Sequence, residues 1–346
     1  MRAVQLTAWK HAPEVREVPQ PDPGPGQVLL RVAGAGMCHS DLHLIHDFEA
    51  GMMPFEPPFT LGHENSGWVH AIGAGVTGID VGQPVAVYGP NGCRSCRRCL
   101  QGKVNYCERQ AELTSMAAGL GDDGGMAEYM LVANPGHLIP LGDLDPVAAA
   151  PLTDAGLTPY HAIKRSLDLL IPGSPAVVIG VGGLGYMGVQ ILKALAPATV
   201  IAVDMRESAL AMASAAGADH VVVSDDSAAA TIQDLTRGRG AELVLDFVGS
   251  DATLQLAVAS SRQLGHITMV GIAGGSYPFS FFTVPYEASI ASTYWGSLSE
   301  LVEVLELAER GQIHADVERV AIDDAPAAYE RLANGEISGR AVVVPT

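Results

Sequence analysis

Four of the five cysteines in this chain lie in one short stretch, GCRSCRRCLQGKVNYC, as Cys93, Cys96, Cys99 and Cys107. Their spacing, C-x2-C-x2-C-x7-C, lets four thiolates surround one point, which is the ligand set of a closed tetrahedral zinc site. A redox dithiol needs only one C-x-x-C pair, and an iron–sulfur cluster can use similar ligands, so both remain alternatives. We predict a structural zinc lobe over residues 91–108. Because four protein ligands leave no open position, this metal should hold the lobe together and take no part in catalysis.

Length and charge limit the remaining possibilities. A chain of 346 residues with 48% hydrophobic residues suggests two domains of ordinary size. Its formal net charge of −18 would repel nucleic acid and anionic membranes, so neither is an expected partner. The N-terminal segment has charged residues and prolines rather than an apolar signal core, and no stretch is apolar enough to span a membrane. We therefore expect a cytoplasmic protein in which clustered cysteines bind metal rather than form disulfides.

The pattern of apolar residues changes near Leu152. Before it, short alternating strands such as Ala3–Leu6 and Val28–Val32 are followed by recurrent glycines, which is typical of a bulged, barrel-like β fold. After it, apolar strands alternate with helices, which predicts a parallel sheet with crossover helices. The predicted elements are Val177–Ile179, Leu184–Leu195, Val200–Val203, Ala209–Ala216, His220–Val223, Leu243–Phe247 and Ile267–Val270, then a helix over Leu298–Arg310 and a strand over Ala341–Val344.

A glycine-rich loop follows the first of these strands. Gly180, Gly182 and Gly185 have the spacing G-x-G-x-x-G, which permits a tight turn, close approach of a pyrophosphate, and packing of helix on strand. Asp204 ends the next strand, 19 positions after Gly185, where a carboxylate binds the ribose hydroxyls and repels a 2′-phosphate. The sequence therefore predicts a dinucleotide site that prefers NAD to NADP. Arg206 would soften that preference, although we interpret it mainly as a solvated charge at a helix start.

A second set of metal-ligating residues is dispersed along the chain. Cys38 is the one cysteine outside the cluster, His63 and Glu64 form the string GHE, and Asp154 lies in PLTDAGLTP. Catalytic zinc needs three protein ligands and one open position. Cys38, His63 and either Asp154 or Glu64 can supply them, but spacing alone does not prove that they converge.

These motifs together resemble the zinc-dependent alcohol dehydrogenases of the medium-chain dehydrogenase/reductase family. The signature G-H-E-x2-G-x5-G-x2-V, the four-cysteine lobe, the glycine loop and the segment PLTDAGLTPY occur in the order typical of that family, over essentially the whole chain. The likeness is greatest to bacterial NAD-dependent secondary-alcohol dehydrogenases, which have aspartate as the third zinc ligand. The resemblance implies an α/β protein with a GroES-like β-rich catalytic domain and a Rossmann doubly wound parallel-sheet coenzyme domain.

The resemblance also implies roles for individual residues. Catalytic zinc would be bound by Cys38, His63 and Asp154, with Glu64 nearby as an outer or exchanging ligand. Ser40 would bond the substrate oxygen, and His43 would end a proton relay, although an exposed histidine without that role is the alternative. Besides the glycines and Asp204, the coenzyme contacts would be His39, Gly183, Leu184, Arg206, Val248 and Ile272. The substrate pocket would be lined by Leu120, Tyr294 and Trp295, with Ile272 as a further wall.

From this resemblance we expect an enzyme that transfers hydride reversibly between NAD and primary or secondary alcohols, favouring secondary and aryl substrates. Residues 1–155 and 293–346 would form the catalytic domain and residues 156–292 the NAD-binding domain. Two zinc ions per subunit are expected, one catalytic and one structural. We expect a homo-oligomer, more readily a tetramer than a dimer, with contacts through the run Ser289–Tyr294. The alternatives are a polyol or otherwise specialised dehydrogenase on the same scaffold, and a non-catalytic dinucleotide sensor.

Overall fold

A computed structural model describes residues 1–345 as two compact units. The first, here called the split unit, comprises Met1–Leu157, Gly296–Glu309 and the chain from His314 onward. The second, the inserted unit, comprises Thr158–Trp295 and Arg310–Ile313. Each has its own sheet and its own cluster of buried apolar side chains, so the two are described separately.

Many of the strands are rich in β-branched residues, which favour extended backbone. In chain order they are β1 Arg2–Leu6, β2 Glu14–Glu17, β3 Val28–Gly36, β4 Phe59–Thr60, β5 Glu64–Ile72, β6 Pro84–Val87, β7 Ala117–Ala118, β8 Gly121–Asp122, β9 Tyr129–Val132, β10 Leu138–Pro140, β11 Pro175–Ile179, β12 Thr199–Asp204, β13 His220–Val223, β14 Ala241–Asp246, β15 Ser261–Met269, β16 Ser289–Ser292, β17 Val317–Ala321 and β18 Arg340–Val344.

The helices are mostly short. In chain order they are α1 His39–His46, α2 Arg97–Leu100, α3 Pro146–Ala149, α4 Leu157–Lys164, α5 Gly183–Leu195, α6 Glu207–Ala215, α7 Ala228–Leu235, α8 Asp251–Ser260, α9 Leu298–Glu309 and α10 Ala325–Ala333. Single 3-10 turns occupy Val104–Tyr106, Gln110–Glu112, Pro135–His137, Ala150–Thr153, Leu167–Leu169 and Ile322–Asp324. In the part of the chain that the structure describes, no helix has both the length and the apolar character of a membrane span.

In the split unit, a seven-stranded mixed sheet has the order β10-β6-β5-β3-β18-β17, with β9 also pairing with β3. The pairing of β3 with β5 shifts register twice, between Leu29 and Leu30 and between Val32 and Gly34, which confirms the predicted bulged β fold. The same pairing places Gly36 opposite Glu64. Because β3 ends shortly before Cys38 and β5 begins directly after His63, this register brings the two candidate ligands to one end of the sheet.

In the inserted unit, six parallel strands have the order β13-β12-β11-β14-β15-β16. The chain passes from β11 to β12 on one side and later to β14 on the other, so the strand order reverses at β11. The residues of β11 are all buried, as expected for a strand covered on both faces. This confirms the predicted doubly wound sheet. The carboxyl end of β11, where the order reverses, is where such sheets bind their ligands.

Two crossover helices of the inserted unit, α7 and α8, are absent from the sequence prediction. Each has few bulky apolar residues: α7 buries Ala228 and Ile232, and α8 buries mainly Leu254, Ala257 and Val258. The apolar residues of α8 have only a weak helical periodicity, and α7 is only eight residues long. Both could have been inferred only from the crossover connections that a parallel sheet requires. Strand β15 is also longer than predicted, beginning at Ser261 rather than Ile267.

Candidate metal centre and coenzyme loop

Three dispersed side chains meet in the split unit. Cys38 precedes α1, His63 precedes β5, and Asp154 follows the 3-10 turn Ala150–Thr153. All three are buried. Asp154 Oδ2 lies 3.7 Å from Cys38 Sγ and 3.7 Å from His63 Nε2, and the three ligand atoms lie within 4.8 Å of one another. The structure therefore brings together the sulfur, nitrogen and oxygen donors that the sequence left dispersed.

The spacing of these atoms fits a tetrahedral metal ion. Zinc bonds of about 2.0–2.3 Å separate neighbouring ligand atoms by about 3.3–3.8 Å in a tetrahedral site. Both 3.7 Å separations lie in that range. A thiolate, an imidazole and a carboxylate are also donors that zinc accepts, and three of them leave a fourth position open. The residues present thus fit a zinc ion with one free coordination position.

An aspartate that the sequence analysis missed supports two of these ligands. Asp41 is fully buried, and its Oδ2 accepts a hydrogen bond from the Cys38 backbone N–H at 3.0 Å. Its Oδ1 lies 3.2 Å from His63 Nδ1, so that His63 presents Nε2 to the other ligands. Burial disfavours the charged imidazole, but Asp41, Asp154 and Cys38 together raise the pKa of His63 well above its usual value. Asp41 occupies the third position of α1, where an acidic residue commonly caps a helix, and that was its only signal in the sequence.

Glu64 lies beside the site but is not one of the three clustered ligands. Its carboxylate forms a buried ion pair with Arg340 of β18, with Arg340 Nε 2.9 Å from Glu64 Oε2, and it accepts the Ala155 N–H at 3.1 Å. Burial raises the pKa of Glu64, although the Arg340 guanidinium counteracts the rise. Of the two carboxylates that the residues left open as third ligand, the structure places Asp154 in the cluster, while Arg340 holds Glu64.

The other predicted residues of this region lie along α1. Ser40 Oγ is 3.4 Å from His63 Nε2, so the hydroxyl lies beside the ligand atoms. His43, one turn further, is half-buried and its Nδ1 is 2.5 Å from Asp47 Oδ2. His39 is exposed at the start of the helix. Ser40 therefore adjoins the ligand cluster, and the roles assigned to His39, Ser40 and His43 stay predictions.

The four-cysteine lobe forms a second cluster, with all four sulfurs within 4.8 Å of one another. Cys93 Sγ is 4.0 Å from Cys99 Sγ, and Cys96 Sγ is 4.0 Å from Cys107 Sγ, close to the spacing of thiolates around one zinc ion. Backbone N–H groups of Ser95 and Cys96 lower the pKa of Cys93 to about 6. Burial raises the pKa of Cys99 to about 12. The local amides therefore favour the thiolate at one ligand, while burial disfavours it at another.

The glycine loop connects β11 to α5 in the inserted unit. Gly180 has φ +84°, and a Cβ there would lie 2.6 Å from Val248 Cγ2. A Cβ on Gly185 would lie 1.9 Å from the Gly180 carbonyl oxygen, so α5 can pack on the loop only without a side chain. Gly182, at the N-cap of α5, is exposed, with open space where its Cβ would be. Gly183 and Leu184 form the first turn of α5, whose N–H groups are suited to a phosphate.

Asp204 ends β12 next to this loop and is largely buried. Its Oδ2 accepts the Val181 N–H at 2.8 Å. Its Oδ1 accepts the Arg206 N–H at 2.9 Å and lies 3.2 Å from Arg206 Nε. Despite burial, these donors lower the pKa of Asp204. Arg206 stands at the N-cap of α6 with its side chain 44% exposed, and it pairs with Asp204, two residues before it.

The remaining predicted contacts are placed as follows. Val248 follows β14 beside Gly180, and Ile272 is 60% exposed after β15. Leu120 belongs to the split unit, where it packs against the apolar cluster that includes Phe55 and Phe59. Tyr294 and Trp295 belong to the inserted unit and form an edge-to-face ring pair, with centroids 5.7 Å apart and Trp295 buried. Their assignment to coenzyme or substrate stays a prediction.

Comparison with known proteins shows which family the chain resembles along its length. Residues 24–143 match the model of the alcohol dehydrogenase GroES-like domain, and residues 183–310 match that of zinc-binding dehydrogenases. An NAD-dependent alcohol dehydrogenase of Sulfurisphaera tokodaii is 35% identical over 355 residues, covering 100% of both chains. A D-arabinose 1-dehydrogenase (NADP(+)) of Saccharolobus solfataricus is 34% identical, covering 99% of this chain and 97% of that one. The crystal structure of the alcohol dehydrogenase of Aeropyrum pernix superposes with a TM-score of 0.92 at 36% identity, covering 100% of both chains.

Proposed function

We infer the activity from the family to which this chain belongs, the medium-chain zinc-type alcohol dehydrogenases, and we propose that it transfers hydride reversibly between NAD and alcohols. The observation that carries the proposal is the convergence of Cys38, His63 and Asp154 on one point in a chain that also has the glycine loop. A dinucleotide sensor would need the loop but not the three-ligand site. We assign catalysis to the split unit and coenzyme binding to the inserted unit.

Zinc and NAD would supply the reactive groups, and the side chains would bind them and transfer the proton. Zinc would lower the pKa of an alcohol hydroxyl as a Lewis acid, and NAD would accept the hydride. Cys38, His63 and Asp154 would hold the metal, and Asp41 would orient His63. We assign the Ser40 hydroxyl, 3.4 Å from His63 Nε2, to accept the alcohol proton while donating its own towards His43, one turn along α1, which would pass a proton to solvent. A second zinc in the four-cysteine lobe would support structure alone, giving two per subunit.

We propose NAD as the preferred coenzyme, because Asp204 offers a carboxylate at the end of β12 that repels a 2′-phosphate. Two observations limit the expected selectivity. Arg206 partly neutralises this carboxylate, and one relative is named as an NADP(+) enzyme. We therefore expect a preference rather than absolute exclusion of NADP.

For the substrate we propose primary and secondary alcohols and the matching aldehydes or ketones, with secondary and aryl compounds favoured. We assign the substrate an apolar pocket, and apolar walls discriminate a methylene group by only about 1–3 kcal/mol. A sugar or polyol is the second candidate, because a relative 34% identical over nearly the whole chain is named as a D-arabinose dehydrogenase.

Steady-state rates test the proposed coenzyme and the proposed substrate class. The zinc-loaded protein should oxidise secondary and aryl alcohols with NAD, with kcat/KM at least about tenfold higher than with NADP. The same assay includes ethanol, sorbitol and D-arabinose. A marked preference for sorbitol or D-arabinose would favour the sugar or polyol as substrate. Activity confined to NADP would contradict our interpretation of Asp204. No oxidation of any alcohol would refute the proposed function.

We also propose that copies of the chain associate, as a tetramer more readily than a dimer, through the edge strand β16. This strand ends the six-stranded sheet, and an exposed edge can pair with a second copy. Large exposed apolar side chains lie nearby, including Phe281, Phe282 and Ile290. Residues 267–299 contain one charged residue, Glu287, in a chain of net charge −18. Two acidic copies can therefore approach here with little repulsion.

An aspartate on this edge should prevent assembly. Ile290→Asp is expected to convert the oligomer to smaller species in sedimentation experiments, because it places charge in an apolar contact. Val221→Asp is the matched control, since Val221 lies on the opposite edge strand, β13, with 43% exposure against 41% for Ile290. A monomeric wild-type protein, or equal effects of the two variants, would contradict this interface.

A further inference from the structure

Tyr329 lies far from the metal ligands in sequence but close to them in the fold. It belongs to α10, near the C-terminal end of the chain, and its side chain is buried in the apolar cluster of the split unit. Its hydroxyl donates to Asp41 Oδ2 at 2.9 Å, across 288 positions of sequence, and also lies 3.2 Å from Met126 Sδ, a weak acceptor. The carboxylate is therefore the better acceptor available to this buried hydroxyl.

Asp41 receives that hydrogen bond while it contacts two metal ligands. The same Oδ2 accepts the Cys38 N–H at 3.0 Å, and Oδ1 lies 3.2 Å from His63 Nδ1. Asp41 Oδ2 thus accepts two hydrogen bonds while Oδ1 lies beside the imidazole, and these contacts leave the carboxylate little freedom to rotate about its last torsion. Any group that fixes Asp41 also fixes the direction in which His63 presents Nε2.

We propose that Tyr329 is a positioning residue for the metal: through Asp41, its hydroxyl fixes the orientation of His63 and of the Cys38 backbone. This inference rests on the proposed function, since it assumes that Cys38, His63 and Asp154 bind zinc. It implies that the last helix of the chain controls how tightly that zinc is held, although α10 supplies no ligand itself.

The alternative is that the hydroxyl is simply a buried polar group with an acceptor. Tyr88 provides the matched comparison, because it is a buried tyrosine of the same unit whose hydroxyl donates to the Gly296 carbonyl at 2.7 Å rather than to Asp41. Each Tyr→Phe change removes one buried hydroxyl and keeps the ring in place, so general effects on packing should be shared.

The experiment measures zinc release from the full-length protein to a chromophoric chelator. Zinc release should show one kinetic phase for each zinc site. The phase that is missing in Cys38→Ser is assigned to the site of Cys38, His63 and Asp154. Tyr329→Phe should release that zinc about tenfold faster, the lower end of the 10- to 100-fold effects of groups that orient ligands. Tyr88→Phe should change the rate by less than about twofold. Equal rates in the two variants would overturn the inference, whereas a wild-type protein with no Cys38-dependent phase would overturn the proposed function itself.

A double-mutant cycle supplies a second measurement. If Tyr329 acts through Asp41, then Tyr329→Phe should have little further effect in an Asp41→Asn background. If the fold-change in zinc release of the double variant equals the product of the two single fold-changes, Tyr329 acts independently of Asp41, and the inference is contradicted. Cobalt substitution gives a spectroscopic check, because a reoriented His63 should shift the visible bands of the Cys38-dependent cobalt in Tyr329→Phe but not in Tyr88→Phe.

Discussion

Cys38→Ser is expected to lower kcat for alcohol oxidation by about 10³-fold or more while leaving NADH affinity within about twofold. The change removes one of the three proposed zinc ligands. A Lewis-acid metal stabilises the transition state by several kcal/mol, and each 1.36 kcal/mol is tenfold in rate. The glycine loop and Asp204, to which we assign the main coenzyme contacts, lie in the inserted unit, so NADH binding should persist. The measurements are single-turnover rates with a secondary alcohol and NADH titration by fluorescence.

The metal content of the same samples is the control for this prediction. Zinc per chain should fall from two to one, because the four-cysteine lobe keeps its own ion. If Cys38→Ser retained two zinc ions and wild-type turnover, the site would not be the catalytic one. If it lost NADH binding as well, the separation of metal and coenzyme sites between the two units would be wrong.

Arg340→Leu is expected to destabilise the split unit by about 3–5 kcal/mol, because it leaves the Glu64 carboxylate buried without its partner. Both side chains are almost completely buried, and Arg340 contacts both oxygens of Glu64. Urea unfolding followed by a probe in the split unit measures the change. Arg331→Leu is the matched control: its guanidinium pairs with Glu318 at an exposed position, where such pairs contribute about 0–1 kcal/mol.

Removing both charges tests the cause of that destabilisation. In the double variant Glu64→Gln with Arg340→Leu, no uncompensated charge remains buried, so much of the stability lost in Arg340→Leu should return. If Arg340→Leu lowered the free energy of unfolding no more than Arg331→Leu does, Glu64 and Arg340 would not form the buried ion pair described above. If the double variant were less stable than Arg340→Leu, loss of packing rather than an unpaired charge would be the cause.

The sequence predicted those parts of the site whose residues are neighbours in the chain. The four cysteines lie close together, and the glycine loop is a short motif directly after a strand. Asp204 follows at the distance that one helix and one strand impose. In each case local geometry alone brings the groups together, so spacing was sufficient.

The outer contacts of the metal site could not be predicted in this way. Asp41 reaches His63 across a loop and a strand, whereas Tyr329 and Arg340 come from the C-terminal end of the chain and reach residues about 280 positions earlier. No sequence motif links these three residues to the metal ligands. Asp41 lies in the first turn of a helix, Tyr329 within a helix, and Arg340 at the start of a strand. The pairing of β3 with β5 and β18, together with the packing of α10 against α1, brings them together.

X-ray diffraction at the zinc absorption edge tests the central claim most directly. An anomalous difference map of zinc-loaded crystals should contain a peak within about 2.0–2.3 Å of Cys38 Sγ, His63 Nε2 and an Asp154 oxygen. A second peak should lie among the four cysteines of the lobe, and a substrate-analogue alcohol soaked into the crystal should complete the first site. An anomalous peak in the lobe alone, from fully zinc-loaded protein that oxidises alcohols, would contradict the account.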